Sequence, residues 1–286
     1  MKNFILVFLL SLGFYGCFDF GELKIIASLP ASLEEISGIE KVPQSNLIWA
    51  VSDSHNEASL YGFNPKTKDI EKVFNLKTTK NTDWEDLAAD ENGRIFIGDF
   101  GNNSNKRKDL AIYTIDSFLD DQVPVSVEKT TYTYEDQSEF PPKKRKRNFD
   151  VEAFIYHQNN FYLFTRNRSS HFNGTVKLYK VPAVPGKQSA TLISTYQTCD
   201  SRSICQITAA TINFETGTVA LLGKQNVWLL TDYEGDDFFS GTIEKLSLRH
   251  HSQKESICFK NNETLYIADE QNGVEGGNLY EFTLNK

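Results

Sequence analysis

The chain has 286 residues, a formal net charge of −8, 40% hydrophobic residues and 13% aromatics. That length suits one large strand-rich domain, and the acidic balance argues against a nucleic-acid binder. A single Met and no sustained helical period point to strands rather than a helical bundle.

The N-terminus reads as an export signal. Lys2 precedes an apolar run from Phe4 to Tyr15, too short to span a bilayer but the right size for a secretory core. Gly16 and Cys17 follow. A small residue before Cys at this point resembles the lipobox of bacterial lipoproteins, with Phe14 where Leu is usual and a bulky Tyr15. The resemblance implies a signal peptide over 1–16 and a lipidated Cys17 as the first mature residue. Ordinary cleavage nearby, leaving Cys17 as an odd thiol, is the alternative.

From residue 23 onward a short phrase recurs: ISGIEKV (36–42), WEDLAAD (84–90), VEAFIYH (151–157), ITAATIN (207–213) and KESICFK (254–260). Each leads through a tight polar turn into a second apolar run: LIWAVSD (47–53), RIFIGDF (94–100), FYLFTRN (161–167), TVALLGK (218–224) and TLYIADE (264–270). A third run follows in each unit, often centred on Tyr. Fourth runs follow in the first four units: IEKVFNL (70–76), EKTTYTYE (128–135), ATLISTY (190–196) and TIEKLSL (242–248). The last unit ends one strand short, and LKIIASL (23–29) is available to complete it. Repeats of roughly fifty residues built from short strands predict an all-β, five-bladed β-propeller over 23–286, four strands per blade. The N-terminal strand joining the last blade closes the ring and removes its open edges.

The first strand of each blade lines the axis, so Ser37, Glu85, Glu152, Thr208 and Glu255 are expected to converge there. Glu85 to Asp99, Glu152 to Arg166 and Glu255 to Asp269 are each fourteen residues; Ser37 to Asp53 and Thr208 to Lys224 are each sixteen, matching longer turns. Crowded carboxylates repel or take up protons, and a hard cation removes the conflict. Oxygen-only ligands favour Ca²⁺, and the lack of His or Cys in the set argues against zinc. The alternative is that these carboxylates accept backbone N–H bonds or face a wet channel. The connections on this side are long and polar (52–59, 98–109, 165–174 and 268–278), so a ligand site is expected on this upper face, with Asp53, Asp99, Arg147, Arg166, Arg168, Lys224 and Asp269 as candidates. PPKKRKRNFD (141–150) adds five cations, read either as a solvated loop that touches anionic lipid or polymer, or as a funnel for an anion.

Cys199 and Cys205 share one loop and are expected to pair in an exported chain; Cys258, inside an apolar run, is expected to be a buried thiol.

The ordered Ser, Glu, Glu, Thr, Glu set, with E-I-S-G-I first and D-W-E-D-L-A second, resembles the SdiA-regulated family of five-bladed bacterial propellers. The resemblance implies axial calcium held by Ser37, Glu85, Glu152, Thr208 and Glu255, with Thr208 replacing a more usual Ser. A similar set occurs in the calcium-dependent apyrases. Two functions follow as expectations. One is a monomeric, lipid-anchored calcium-binding propeller of the bacterial cell envelope (periplasmic or outer-surface) that binds an anionic small molecule, polymer or partner. It touches the membrane through its anchor only and binds no nucleic acid. The other is a calcium-dependent phosphohydrolase of nucleotides or other phosphoesters.

Overall fold

The structure is a computed structural model that describes residues 20–120 and 122–284. The predicted signal peptide and Cys17 lie outside the described residues. Among those described, twenty strands form three four-stranded sheets and one eight-stranded sheet. Each repeat is an antiparallel meander. The first consists of β2 (Ile36–Glu40), β3 (Ile48–Ser52), β4 (Ser59–Asn64) and β5 (Asp69–Asn75). The second is β6 (Trp84–Ala89), β7 (Ile95–Asp99), β8 (Ala111–Asp116) and β9 (Ser126–Tyr134). The third is β10 (Val151–His157), β11 (Asn160–Thr165), β12 (Thr175–Pro182) and β13 (Gly186–Gln197). The fourth is β14 (Ile207–Ile212), β15 (Val219–Gly223), β16 (Asn226–Thr231) and β17 (Thr242–Ser247). In the last sheet β18 (Lys254–Asn261), β19 (Thr264–Asp269) and β20 (Asn278–Thr283) are joined by β1 (Lys24–Ser28), which pairs antiparallel with β20.

The inner strands close on one another: β2 packs against β6, β6 against β10, β10 against β14, β14 against β18, and β18 against β2. Successive side chains of these strands point to opposite sides, and both sides are covered, which is why the inner runs are almost continuously apolar. On β10, for instance, Phe154 and Tyr156 pack toward the second meander while Ala153 and Ile155 pack toward the fourth. An apolar cluster fills each gap between consecutive meanders, including the one between the last sheet and the first. This closed, radial arrangement is a β-propeller.

Two features are not legible in the sequence. The first is a seam: β13 starts at Gly186, before the predicted fourth run, and its overhang pairs parallel with β9 from Gly186↔Thr130 to Ala190↔Tyr134. The overhang gives the outer edge of β9 a hydrogen-bonding partner and merges two meanders into the eight-stranded sheet. The second is a buried carboxylate, Asp86, which accepts backbone N–H bonds from Leu87 (2.9 Å), Phe154 (3.0 Å) and Ala210 (3.2 Å). It thereby ties β6, β10 and β14 together near the axis. Gly38 permits the matching approach of β2 to β6, because a Cβ there would lie 2.6 Å from the Leu87 nitrogen.

Candidate metal centre

The five residues expected at the axis share one local device. The register of each first strand against its second slips at a single place: between Ile36 and Gly38, Trp84 and Asp86, Val151 and Ala153, Ile207 and Ala209, and Lys254 and Ser256. The residue stepped over is Ser37, Glu85, Glu152, Thr208 or Glu255 in turn. A bulge re-aims one side chain without ending the strand. Four of the five, all but Thr208, line one polar cavity of about 200 Å³ on the upper face, together with Asp53, Asn103, Arg166, Arg168, Gln253 and Glu270. Thr208 is buried and donates its hydroxyl to the Lys254 carbonyl at 2.7 Å.

The cavity has two unlike sides. On one, Asp53, Asp83 and Glu85 bring carboxylate oxygens within 4.8 Å of one another. Asn81 sets this approach. Its amide donates to the carbonyls of Ser52 (2.9 Å) and Asp53 (2.8 Å), while its side-chain oxygen accepts from Trp84 N–H (3.2 Å), so the end of β3 is bound to the start of β6. Gly101 leaves the space the cluster occupies, since a Cβ there would overlap the carboxylates of Glu85 and Asp83. Ser37 Oγ is buried at the cavity with no hydrogen-bond partner, an expensive state for a hydroxyl. Burial, and then the charges of Glu152 and Asp53, push Glu85 well above the usual carboxylate range. Burial, and then Asp53, raise Asp83 to about 6, and burial raises Asp53.

On the other side the protein supplies its own cations. Arg166 donates to Glu152 at 2.5 Å and lies 3.7 Å from Glu255. Arg168 pairs with Asp150 and donates to Glu152 at 2.5 Å, so both Glu152 oxygens carry a guanidinium. These are charge-assisted bonds in a poorly hydrated site. They hold Arg166 firmly protonated, against the opposing pull of burial. Burial raises Glu255 to about 8, with Arg166 pulling the other way. Burial and Glu152 raise Asp150 to about 7. Glu270, which accepts from Gln253, is raised to about 7 by burial and then by Asp53.

The remaining candidates lie apart from the cavity lining. Asp99 is paired with Arg107 at 2.9 Å and also accepts from the Asp83 N–H at 3.2 Å. Asp269 accepts from Asn278 N–H (2.9 Å) and Tyr280 O–H (2.8 Å). Arg147 reaches the Pro142 carbonyl at 3.5 Å, and Lys224 offers its own carbonyl to Lys254. Cys199 and Cys205 are bonded, with Cα atoms 5.7 Å apart, and Cys258 is a buried thiol.

Sequence reasoning missed Asp83, Asp150 and Gln253. Each stands two residues before an axial residue, so the period-2 rule for strands could have found them.

No family model matches the chain, and no curated protein matches it. Solved structures do. The chain is similar to the PQQ-bound form of an aldose sugar dehydrogenase from Streptomyces coelicolor, with a TM-score of 0.51 and 9% identity over 91% of this chain and 97% of that one. It also matches a gluconolactonase from Xanthomonas campestris (TM-score 0.46, 11% identity, 85% of this chain and 70% of that one). A third match is to a chain of a nidogen–laminin complex (TM-score 0.46, 11% identity, 82% and 72%). At these identities the likeness concerns the β-propeller fold alone.

Proposed function

We propose that this protein is a five-bladed, calcium-binding β-propeller of the bacterial cell envelope, anchored through Cys17 and related to the SdiA-regulated family. The observation that carries the metal is the orphaned Ser37 hydroxyl beside the Asp53–Asp83–Glu85 cluster. Three carboxylates and a hydroxyl make a hard, all-oxygen donor set, and no His or Cys lines the cavity, which favours calcium over zinc. Asp53, Asp83, Glu85 and Ser37 would hold the ion; bound there, it would supply the positive charge that this side of the cavity lacks. This placement is narrower than the full axial set, because Glu152 is already neutralised by Arg166 and Arg168, and Thr208 is bonded to Lys254. The blade count of five is supported by the five bulged inner strands, which pack in a closed cycle.

The same arginines favour a binding protein over a phosphohydrolase. Transfer of a phosphoryl group needs cations free to meet its charge, whereas both guanidiniums in this cavity are committed to carboxylates.

Calorimetric titration of the chelator-treated protein with calcium tests the proposal. One calcium per chain, with binding lost in Glu85→Gln, is the expected result. Binding unchanged in that variant overturns the site, and calcium-dependent phosphate release from nucleotides would restore the enzyme.

A further inference from the structure

The upper face carries a second chemistry outside the cavity. The β7–β8 loop exposes Lys106 and Lys108, and the β9–β10 loop exposes Lys143, Lys144, Arg145 and Lys146. None of these six is in an ion pair among the described residues, although the chain as a whole is acidic.

The loops are built as one stiff platform. Asn102 donates to the Phe149 carbonyl (3.0 Å), Asn105 accepts from Phe149 N–H (3.1 Å), and Gln137 donates to the Asn105 carbonyl (3.3 Å). The basic turn is held from the other side. Ser169 Oγ donates to the Arg145 carbonyl (2.7 Å), and Ser170 N–H donates to the Lys144 carbonyl (3.1 Å). Fixing like charges side by side costs free energy, so a rigid array that forms no ion pairs points to an anionic partner rather than to stability.

The partner is broad and sheet-like. Lys143 and Lys146 line one cavity with Lys177, but Asp136 and Glu139 line it too, so it is no pocket for a free phosphate; the other cations spread along the two loops. The platform rings are covered, Phe140 by Lys108 (4.8 Å) and Phe149 by Lys177 (4.1 Å), so bases find no open ring on which to stack. On the same face the β19–β20 loop ends in Val274, fully exposed between Gly273 and Gly276. Phe20, three residues after the predicted lipidation site, packs against His250 in the β17–β18 connection, which also opens on the upper face. A basic platform, an apolar tip and the start of the domain thus share one side.

We infer that this upper face docks on a membrane of anionic phospholipid, with Lys106, Lys108 and Lys143–Lys146 meeting headgroup phosphates and Val274 entering the interface. The inference stands apart from the calcium site and needs no lipid on Cys17.

The test is co-sedimentation of the full chain with vesicles of phosphatidylcholine alone, or of equal parts phosphatidylcholine and phosphatidylglycerol. Any contribution of the N-terminal segment is common to both, so the ratio of the two affinities isolates the platform. Lys and Arg near such a surface each add several-fold, so wild type should prefer the anionic vesicles by about a hundredfold at low salt. The quadruple variant Lys143→Glu, Lys144→Glu, Arg145→Glu, Lys146→Glu should lose the preference, as should wild type in high salt. Val274→Asp should weaken binding to anionic vesicles a few-fold with the fold intact, an effect of the order expected for one interfacial side chain. Equal binding to both vesicles, a quadruple variant that keeps the preference with an unchanged melting curve, or tighter binding to duplex DNA than to anionic vesicles would each overturn the assignment. Glu85→Gln should leave the preference untouched, which separates this surface from the metal.

Discussion

The two sides of the central cavity face the same electrostatic problem and solve it differently. Around Glu152, guanidiniums from the end of β11 supply the counter-charge from within the chain. Around Glu85, Asp53 and Asp83 add further negative charge, and the Arg107 guanidinium nearby is already bonded to Asp99. Glu85 and Glu152 are both buried, so between these two the availability of a counter-ion separates a closed structural network from an open site. Crowded acids are therefore a metal signal only after the internal cations have been assigned.

The sharpest way to break this contrast is to remove the internal counter-ion. Arg166→Leu leaves Glu152 and Glu255 buried without their shared partner, and should cost about 3–5 kcal/mol in denaturant unfolding. Restoration of most of that loss by calcium would show that the arginine side can be converted into a second metal side. Next in size is Glu85→Gln, which removes one charged ligand and should weaken calcium binding by about a hundredfold, comparable to losing a charged hydrogen-bond partner. Its metal-free melting temperature should not fall, because a repulsive charge goes with it; a large fall would mean that Glu85 is structural. Gly101→Ala pushes the Glu85 and Asp83 carboxylates aside, and about a tenfold loss of calcium affinity is expected for such a packing change at an ion site.

The smallest effect is on pH. Asp83 is raised to about 6 and Glu85 well above the ordinary range, so the folded, metal-free protein holds protons that the unfolded chain has released. Their contribution is complete below the unfolded carboxylate range near pH 4 and is lost as pH rises through the folded values. With chelator, the melting temperature should therefore fall by a few degrees between pH 5 and 8. With calcium, which displaces the protons of Asp83 and Glu85, the fall should be smaller, leaving the share of Asp150, Glu255 and Glu270. A flat profile in chelator would sink the open-site half of the comparison.

Much of the architecture is readable because its cause is local. Alternating and continuous apolar runs, tight polar turns and a fixed spacing from Glu85 to Asp99 all follow from strand geometry. Ser37, Glu85, Glu152 and Glu255 are readable for the same reason, as they recur at one place in each repeat. The division of labour in the cavity is not. Arg166 stands where other repeats carry Asp53 or Asp269, and only the paired β10 and β11 show that it turns back onto Glu152 rather than out toward a ligand. Thr208 looks equivalent by spacing, yet its hydroxyl bonds the Lys254 carbonyl of the next inner strand. The parallel seam is hidden because β13 reads as one strand, and nothing in GKQSA tells which neighbour its first residues will choose.

That seam makes the rim unequal around its circumference. Backbone amides along β5 and β17 sit at an outer border, where fraying needs little energy. Those on β9 and the start of β13 are stitched to each other. Deuterium should therefore enter the rim quickly on most sides and slowly between Thr130 and Tyr134, leaving a single quiet sector that marks where the wheel resists being pulled apart.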